Sequence, residues 1–365
     1  MRVLHITSHL ERGGTETFIM NVFREVRKNN VIFDFLLFSN SKEGYYNEAK
    51  EMGSRIYVCP SRKKNFFKYL KSLDVFFKDH ASEYAVVHFS GCTLTTIAPL
   101  FFAKRYKIAH RIIHAHSSSS EGFHNFLLHK INKLFIGKIA TDFLACSEKA
   151  ASFFYPKKYL GNCVILKNGI DLPKFSYNQI IRNDVRTSLG INDDTLVFGH
   201  TGRFAPVKNH SFLIDVFSEI SKMKDNCLLV LVGDGELFSS IKNKVAGSVL
   251  ADKILFLGER NDVNRILQAF DCFILPSLFE GLPFALVEAQ ASGLRIFASD
   301  TVSKEVDLTN NCFFLNLSDG PKHWADFVLS NSSYIRRNTD ELIRNKGFSI
   351  DMTSDILLNI YMKTN

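Results

Sequence analysis

Two carboxylates with seven residues between them stand in the stretch Ser277 to Gln290, which reads SLFEGLPFALVEAQ. The apolar run Cys272 to Pro276 predicts a buried strand ahead of them, and Pro283 is typical of the first turn of a helix. Glu280 is therefore expected in a loop and Glu288 inside the helix. Carboxylates would repel a diphosphate that they faced, so we expect each to accept hydrogen bonds from the hydroxyls of a polyol.

The backbone at this helix start adds a second binding chemistry. Free N–H groups and the partial positive charge of a helix N-terminus favour phosphate or sugar oxygens. The positions that would offer it are Gly281, Leu282, Pro283 and Phe284. A nucleotide sugar carries hydroxyls and phosphates together. The alternative is ordinary turn chemistry, with Glu280 a solvated loop acid and Glu288 a surface helix acid.

Two cations follow another predicted strand, Leu196 to Gly202. The strand runs into GRFAPVKN, which places Arg203 and Lys208 in one loop. A diphosphate leaving group gains negative charge as it departs, and a guanidinium with an ammonium can stabilise that charge without a metal. The chain also has no D-x-D triplet, the pattern with which metal-dependent sugar transferases hold a divalent cation, so no metal or other cofactor is expected. The alternative is two solvated surface cations.

Two histidines end the predicted strand Arg111 to His116, followed by serines in the sequence RIIHAHSSSS. Polar residues at this end of a strand are candidates for binding, because ligands of open α/β sheets gather there. Strand alternation puts His114 and His116 on the same side, so the pattern does not choose between them. A third ligand at suitable spacing is missing, which argues against metal binding by the pair.

A glycine pair stands in the loop HLERGGTETF after the first predicted strand. Gly13 and Gly14 permit close backbone approach, and Thr15 is expected to cap the helix that follows. Turn chemistry alone is the alternative explanation. The pattern is not G-x-G-x-x-G, which argues against a classical dinucleotide enzyme.

Strand-like runs alternate with helix-like stretches along the chain, which predicts α/β architecture with parallel sheets covered by helices on both faces. The first series of runs is Arg2 to Ser8, Val31 to Ser39, Arg55 to Pro60, Tyr84 to Gly91, Arg111 to His116, Asp142 to Ser147 and Cys163 to Lys167. The second series is Leu196 to Gly202, Cys227 to Gly233, Lys253 to Gly258, Cys272 to Pro276, Leu294 to Ser299 and Cys312 to Leu317. Two Rossmann-like domains are expected, with their junction in the polar stretch Asp171 to Thr195.

Length and composition narrow the class of protein. The chain has 365 residues, 46% of them apolar and 22% charged, which suits two globular domains and excludes a disordered protein. No apolar run reaches the roughly 18 residues of a membrane span, and Met1 to Thr7 starts a strand instead of a signal peptide, so a cytoplasmic protein is expected. Seven cysteines without a C-x-x-C pair, among them Cys146, Cys227 and Cys272 in apolar runs, predict reduced core residues.

Positive charge is concentrated in the first half of the chain. Residues Met1 to Gly169 hold 25 Lys and Arg against 13 Asp and Glu, a net charge of +12, while the remainder holds 20 against 24, a net charge of −4. A basic half with Phe-rich stretches such as Lys63 to Lys78 suits an anionic membrane surface or a lipid-phosphate acceptor. The alternative for that segment is a solvated helix with an ordinary apolar core face. No nucleic-acid-binding motif accompanies the charge, so no nucleic acid partner is expected.

These motifs, in this order, resemble the glycosyltransferases of the GT-B fold, family 4. The donor site of that family carries an E-x7-E element with an EGLP-type loop, which Glu280 and Glu288 match. The other matching segments are HLERGGTETF, RIIHAHSSSS, ATDFLACSE, KNGID, GRFAPVKN, LVGDGEL and FLGERNDV, so the resemblance covers nearly the whole chain. HITSHLERGGTETFIMN and LFEGLPFALVEAQASGL are similar to the bacterial subgroup that builds capsular or extracellular polysaccharide units on a lipid carrier.

The resemblance implies roles that the residue patterns alone do not give. Gly13 and Gly14 would lie near the donor diphosphate and the acceptor, and His116 would contact the donor sugar across the cleft.

In the second domain, the resemblance places Gly233 against the nucleotide and Glu259 and Arg260 beside a base that the backbone reads. The expected catalytic residues are then Glu280, His116, Arg203 and Lys208. The expected donor-binding residues are Gly13, Gly14, Gly233, Glu259, Arg260, Gly281, Leu282, Pro283, Phe284 and Glu288.

The resemblance also implies two domains whose parallel sheets face a cleft. Residues 1–170, joined by a C-terminal helix at about 350–365, would form the acceptor side, and residues 171–349 would bind the donor. The implied activity is retaining, metal-independent transfer from a nucleotide diphosphate sugar, with UDP the expected nucleotide, to a saccharide linked to a polyprenyl diphosphate. Peripheral association with the inner face of the plasma membrane would accompany it.

Two other functions remain as alternatives. A nucleotide-sugar epimerase also occurs on this framework and would convert a UDP-sugar without an acceptor. A non-catalytic module that binds sugar nucleotides is the second alternative. The cations Arg203 and Lys208 argue against it, because a protein that only binds has less need to stabilise a leaving group.

Overall fold

The computed structural model describes residues 1–118 and 122–363, and the chain divides into two compact units. Unit 1 consists of Met1–Gly169 and the segment that starts at Gly347, and unit 2 is Ile170–Lys346. Of the four serines after His116, Ser119 and Ser120 lie outside the described residues. Among the described residues, no helix combines the length and the hydropathy that crossing a membrane requires.

Unit 1 alternates strands and helices. Its described elements are β1 (Arg2–Thr7), α1 (Gly14–Val26), β2 (Ile32–Leu37), α2 (Tyr46–Glu51), β3 (Ile56–Val58), α3 (Phe66–His80), β4 (Val86–Gly91), α4 (Ala98–Arg105), β5 (His110–Ala115), α5 (Phe123–Ile139), β6 (Asp142–Ala145), α6 (Glu148–Phe154), α7 (Lys157–Leu160) and β7 (Cys163–Ile165). The strands pair in parallel in the order β3-β2-β1-β4-β5-β6-β7. A sheet with this order has its carboxyl-end crevice between β1 and β4, where the strand order reverses.

The two faces of this sheet pack against different helices because side chains alternate along each strand. Leu4 and Ile6 of β1 lie in a core shared with α3, α4 and α5. His5, on the opposite face, contacts Phe33 and accepts or donates a hydrogen bond with Tyr361. Tyr361 belongs to the last helix, which follows unit 2 in the chain and returns to unit 1.

Unit 2 repeats the same plan with fewer strands. Its described elements are α8 (Leu172–Phe175), α9 (Gln179–Ser188), β8 (Leu196–Thr201), α10 (His210–Met223), β9 (Cys227–Val232), α11 (Phe238–Val245), β10 (Ile254–Phe256), α12 (Val263–Ala269), β11 (Cys272–Leu275), α13 (Phe284–Ala291), β12 (Arg295–Ser299), β13 (Cys312–Leu315), α14 (Gly320–Ser330) and α15 (Asp340–Asn345), after which α16 (Ile350–Met362) completes unit 1. The parallel strand order is β10-β9-β8-β11-β12-β13, which places the reversal between β8 and β11. Trp324 is fully buried in its core and donates a hydrogen bond to the carbonyl of Asn316 at 2.8 Å.

The predicted class, two Rossmann-like domains with parallel sheets, is confirmed. All thirteen predicted strands form, although most end one or two residues earlier than the apolar runs suggest. The polar stretch Asp171 to Thr195 contains α8 and α9, and Arg182 of α9 pairs with Asp271 at 2.6 Å just ahead of β11. Polar composition there reflects this surface helix and its ion pairs.

The expected cap on α1 is wrong. The helix begins at Gly14, its N-cap is Gly13 in an extended conformation, and no side chain caps it. Thr15 lies in the first turn, where its hydroxyl is 3.7 Å from the Cys92 sulfur. Gly13 takes the cap position because the Glu16 side chain folds back over it, with Oε2 only 2.5 Å from where a Cβ on Gly13 would stand.

Candidate functional site

The loops after β8 and β11 meet at the strand-order reversal of unit 2. The Lys208 ammonium lies 2.6 Å from Glu280 Oε1, and the Ser277 hydroxyl donates to the same oxygen at 3.3 Å. The backbone N–H of Leu278 donates to the carbonyl of Val207 at 2.8 Å, which fixes the two loops side by side. Ligands of open α/β sheets bind at such a point, so this is the candidate site of unit 2.

The backbone around Glu280 is held in place from β12. Glu280 forms a parallel bridge with Val302, and the N–H of Ser303 donates to the Glu280 carbonyl at 3.2 Å. The hydroxyls of Ser299 and Thr301 both donate to the carbonyl of Ser277. A carboxylate on a loop fixed in this way keeps its position before any ligand arrives, which is what a preorganised site requires.

Helix α13 starts directly after this loop and presents its N-terminus without a side-chain cap. Pro283 is the N-cap residue in an extended conformation, and its carbonyl accepts from Leu286 at 3.1 Å. A Cβ on Gly281 would meet no atom within 4 Å, so the backbone there is open to a ligand. Leu282 and Phe284 are partly exposed on either side of Pro283. The arrangement offers backbone donors and a positive helix end to an anion or to sugar oxygens.

Glu288 lies one turn further along α13 and has an unusual ionisation. Burial raises the pKa of Glu288 to about 7, and the nearby Lys174 cation opposes the shift. Within residues 1–118 and 122–363, no hydrogen bond or ion pair reaches this carboxylate. A partly buried carboxyl with open acceptor sites suits a ligand that donates hydrogen bonds, such as the hydroxyls of a sugar.

The loop after β9 lies against the loop that carries Arg203. Gly233 has φ +135°, and a Cβ there would collide with the carbonyl of Gly202. A Cβ on Gly235, at φ +153°, would stand 2.7 Å from the Phe204 carbonyl and 3.0 Å from the Arg203 side chain. Both positions therefore require glycine, and their close approach places Arg203 beside the β9 loop.

The loop after β10 joins this group through its backbone. Gly233 donates from its N–H to the carbonyl of Gly258 at 2.8 Å. Glu259 and Arg260, which follow, are both exposed, and Arg260 pairs with Asp262 at 2.8 Å. The structure therefore brings the loops of β8, β9, β10 and β11 to one edge of the sheet, with Glu259 and Arg260 at its β10 end.

The predicted residues of unit 1 lie at the carboxyl end of its own sheet. His116 follows β5, its N–H donates to the Gly91 carbonyl at 3.0 Å, and its ring packs 4.0 Å from that of His114. Burial lowers the pKa of His116 to about 3, so the ring is neutral at pH 7. Its buried Nε2 has no partner among the described residues. Gly13 and Gly14 begin α1 after β1, in the same unit.

Three residues near these loops carry no signal in the sequence. His200 and His210 pack edge to face under the Lys208 loop, with ring centroids 4.7 Å apart, and His210 also stacks on Phe204 at 4.0 Å. Burial, together with the Lys208 cation, lowers the pKa of His210 to about 4, so its ring adds no charge at pH 7. Glu16 of unit 1 is a buried acid whose pKa is raised by burial. No motif or spacing in the sequence distinguishes these two histidines or this helical acid from ordinary residues of the same type.

The arrangement in unit 2 can hold a sugar diphosphate. Arg203, Lys208 and the α13 N-terminus supply positive charge, while Glu280 and Glu288 accept hydrogen bonds from hydroxyls. Among the described residues, no group of three or more His, Cys, Asp or Glu side chains is placed to hold a metal ion.

Comparison with known proteins places the chain in a family. The family described as glycosyl transferases group 1 matches residues 181–311. A Bacillus subtilis (strain 168) protein named as a glycosyltransferase, EpsF, is 32% identical over 371 residues, which cover 99% of this chain and 96% of that protein. The chain belongs to the group 1 glycosyltransferases and is an enzyme of that class.

Further relatives extend the comparison. CapH of Staphylococcus aureus, a capsular polysaccharide biosynthesis glycosyltransferase, is 27% identical over 99% of both chains. An Escherichia coli UDP-Gal:alpha-D-GlcNAc-diphosphoundecaprenol alpha-1,3-galactosyltransferase is 30% identical over 65% of this chain and 64% of that one. Among solved structures, Anabaena HepE in complex with UDP and glucose superposes with a TM-score of 0.78 at 16% identity over 99% of both chains, which establishes the GT-B fold.

Proposed function

We propose that the protein is a retaining, metal-independent glycosyltransferase of family 4 that moves a sugar from a UDP-sugar to a lipid-linked saccharide in capsular or extracellular polysaccharide biosynthesis. The Lys208–Glu280 pair beside the uncapped α13 N-terminus carries this proposal, because it joins a leaving-group cation to a sugar-binding acid. The names of CapH and of the Escherichia coli galactosyltransferase support the pathway and the diphosphoundecaprenol type of acceptor.

Each donor group has a partner in this scheme. Glu288 accepts from the ribose hydroxyls, and Glu280 with the backbone of Gly281 to Phe284 holds the sugar. Arg203 and Lys208 bind the diphosphate. Because Glu280 already holds Lys208, this cation stabilises the charge that develops on the departing UDP without reorganising, and Arg203 adds a second positive charge from the same loop. Gly233 lies against the nucleotide, and the loop of Glu259 and Arg260 contacts the base.

The acceptor is assigned to unit 1. Gly13 and Gly14 adjoin the diphosphate and the acceptor, and His116 lines the space in which the acceptor hydroxyl attacks. The hydroxyl attacks the face of the anomeric carbon from which UDP departs, so the C–O bond to the acceptor forms as the bond to UDP breaks and the configuration is kept. The proton of the hydroxyl passes to the departing phosphate oxygen. The neutral Nε2 of His116, with no described partner, is available to the sugar. The enzyme would work at the inner face of the plasma membrane, where such acceptors are held.

The test combines ligand binding with turnover. A thermal-shift screen of nucleoside diphosphates should show stabilisation by UDP, since a ligand that binds only the folded state raises its stability. Transfer to a diphosphoundecaprenol-linked saccharide should then fall by about 10²-fold or more in Lys208→Ala and in Arg203→Ala. The matched control is Lys244→Ala, which breaks an ion pair with Asp215 on the surface of the same unit and should leave transfer unchanged.

Four results would contradict the proposal. Equal transfer rates in the parent and in both variants would remove the leaving-group role. Conversion of the UDP-sugar to an epimer without acceptor would identify an epimerase, and binding of UDP without any turnover would identify a binding module. Loss of activity in the presence of a chelator, restored by a divalent cation, would show that the reaction needs a metal.

A further inference from the structure

Helix α5 of unit 1 exposes an apolar face to solvent. Phe123 and Leu134 are 76% and 72% exposed, which is unusual for side chains of this size. The complete set, called here the α5 face, is Phe123, Phe126, Leu127, Ile131, Leu134 and Phe135. At about 100° per residue, these six positions occupy roughly half of the helix circumference. The face is therefore continuous along the helix.

The opposite side of α5 accounts for its attachment to unit 1. His129, Ile136 and Ile139 are its buried residues, and His129 Nδ1 accepts from the Leu94 N–H at 3.0 Å. Asn132 donates to the Leu94 carbonyl at 2.6 Å. Because these contacts hold the helix from behind, the α5 face is free to meet something outside the unit.

Charge on α5 selects the kind of partner. Lys130 and Lys138 are exposed in the same half of the helix as the apolar residues, and Lys130 lies 5.2 Å from the Phe126 ring centroid. The helix sequence FHNFLLHKINKLFIGKI contains no acid. Residues Met1 to Gly169, which include α5, have a net charge of +12 from 25 basic and 13 acidic residues. A partner should therefore be negatively charged and able to accept apolar side chains.

A second copy of the chain does not fit this pattern. A two-fold dimer brings the same surface patch of each subunit together. Lys130 and Lys138, which lie beside the α5 face of one copy, would then approach the same lysines of the other copy. Like charges in an interface are unfavourable. An anionic bilayer surface accepts aromatic and aliphatic side chains while its phosphates attract lysines.

We propose that α5 lies in the surface of an anionic phospholipid bilayer, with the α5 face inserted among the lipids and Lys130 and Lys138 at the phosphates. The inference deepens the proposed function and rests on it, because a lipid-linked acceptor requires a membrane surface. It also assigns the main membrane contact to α5 and not to the segment Lys63 to Lys78. In α3, Tyr69, Leu73, Phe76 and Phe77 are buried in the core.

The first turn of α3 can still contribute. Phe66 and Phe67 are exposed beside Lys63, Lys64 and Lys68. Helices α3 and α5 both follow the carboxyl ends of parallel strands, and α4 contacts each of them on the same side of the sheet. Their first turns therefore lie at the same edge of unit 1, so Phe66 and Phe67 are exposed at the edge where Phe123 stands.

Vesicle co-sedimentation of the full chain tests the proposal. The parent should bind vesicles of phosphatidylcholine with phosphatidylglycerol, and bind pure phosphatidylcholine much more weakly. The triple variant Phe126→Ser, Ile131→Ser and Leu134→Ser should weaken binding by at least about tenfold, because inserting even one such side chain contributes that much. In Lys130→Gln with Lys138→Gln, binding should fall by roughly fivefold for each lysine at low salt.

The matched control removes exposed apolar side chains elsewhere. Ile180→Ser with Val249→Ser changes two highly exposed residues of unit 2 and should leave vesicle binding unchanged. A parent that fails to bind anionic vesicles, or a triple variant that binds them like the parent, would overturn the proposal. So would a dimer in sedimentation velocity that the triple variant abolishes, because a second copy would then cover the α5 face.

Nucleotide binding separates this proposal from the proposed function. Stabilisation of the triple variant by UDP should equal that of the parent, since α5 has no part in the donor site and the measurement also reports that the variant is folded. If UDP stabilises neither protein while vesicles still bind the parent, the donor assignment fails and the membrane surface stands. If UDP stabilises both and vesicles bind neither, the membrane surface fails alone.

Discussion

Lys208 Nζ lies 2.6 Å from Glu280 Oε1, and the two side chains are only 15% and 16% exposed. The pair spans the two loops that diverge where the strand order of unit 2 reverses. A lysine has a long, flexible stem that loses much rotamer freedom when it is fixed. Because Glu280 already holds the ammonium in place, a diphosphate would meet a cation whose position has been set in advance.

A double-mutant cycle on this pair should show strong coupling. Lys208→Met and Glu280→Gln each leave a partly buried polar group without its charged partner. The losses in the free energy of unfolding of the two single variants should therefore sum to more than the loss in the double variant. We expect a coupling of about 1.5–3 kcal/mol, the range for hydrogen bonds to charged groups. Denaturant unfolding measures it.

The control cycle uses Lys244 and Asp215, which lie 2.7 Å apart but are 40% and 47% exposed. Solvent screens such a pair, so its coupling should be at most about 1 kcal/mol. Equal coupling in the two cycles would mean that the Lys208–Glu280 pair behaves as an ordinary surface contact. UDP affinity separates the roles further, because Lys208→Met removes the cation that binds the diphosphate and should weaken UDP binding strongly. Glu280→Gln keeps that cation, so it should weaken UDP binding less and binding of the sugar-bearing donor more.

Protonation of Glu288 should couple to nucleotide binding. Burial raises the pKa of Glu288 to about 7, so the carboxyl is partly protonated near neutral pH. Ribose hydroxyls that donate to the carboxylate favour its ionised form, which lowers the pKa in the complex. UDP should therefore bind roughly tenfold more tightly at about pH 8 than at about pH 6, as measured by calorimetry.

Glu288→Gln should remove that part of the pH dependence, while the titration of UDP itself remains in both proteins. The unliganded enzyme gives a second readout with a defined sign. Because the folded pKa exceeds the usual 4.5, the stabilising contribution of the protonated group is complete below about pH 4.5 and is lost as the pH rises through about 7. Glu288→Gln should thus raise the Tm above pH 7, and Glu341→Gln on the surface of α15 should not. A pH profile of UDP affinity identical in parent and Glu288→Gln would refute the ribose assignment.

Four buried histidines should make unit 1 sensitive to acid. His5, His88 and His114 lie on the neighbouring strands β1, β4 and β5, and His116 directly follows β5. Burial lowers the pKa of each, to about 3 for His5 and His116. Below about pH 6.5 these histidines bind protons in the unfolded chain but stay neutral in the folded chain. The free energy of unfolding therefore falls as the pH decreases. The His88 ring also bonds Tyr361 at 2.7 Å and His114 at 3.2 Å.

Stability measured by far-UV circular dichroism between about pH 7 and pH 4 checks this. His88→Gln should reduce the slope by up to one proton, about 1.4 kcal/mol per pH unit, whereas His323→Gln on the exposed side of α14 should leave it unchanged. Tyr361→Phe should lower stability by about 1–3 kcal/mol at every pH, because it removes hydrogen bonds from buried rings without removing their titration. An unchanged acid slope in His88→Gln would mean that other groups dominate acid unfolding.

The sequence predicts the fold better than it predicts side-chain partners. Apolar runs such as Cys227 to Gly233 are buried on both faces of a parallel sheet, and such runs are visible without any knowledge of contacts. Their ends are less visible, since Gly233 continues the run in composition but leaves the strand at φ +135°. The cap on α1 is misjudged for a related reason, because a glycine with an acid folded over it takes the place that a hydroxyl residue usually fills.

For the candidate site, too, the sequence predicts the loops that form it but not the contacts between their side chains. Loops at the carboxyl ends of strands follow from the alternation of elements, so the regions of Arg203, Glu280 and His116 are predictable. The pairing of Lys208 with Glu280 is not, because the two residues are far apart in the chain and meet only through the reversed strand order. His200 escapes sequence reasoning altogether, since its buried Nδ1 contacts the Ile274 carbonyl at 2.8 Å and no spacing marks that contact.

Gly233→Ala should separate the β8 and β9 loops and abolish nucleotide binding. The residue has φ +135°, which L-residues rarely adopt, and a Cβ there would collide with the backbone carbonyl of Gly202, which no side-chain rotation can relieve. The strain alone costs about 1–3 kcal/mol, and displacement of the loop moves Arg203 from its position. Gly247→Ala is the control, because Gly247 also has a positive φ, +77°, yet its Cβ would meet nothing within 4 Å. UDP titration should show no measurable binding to Gly233→Ala and parental affinity for Gly247→Ala. Parental UDP affinity in both variants would show that the close approach of the two loops is irrelevant to the nucleotide.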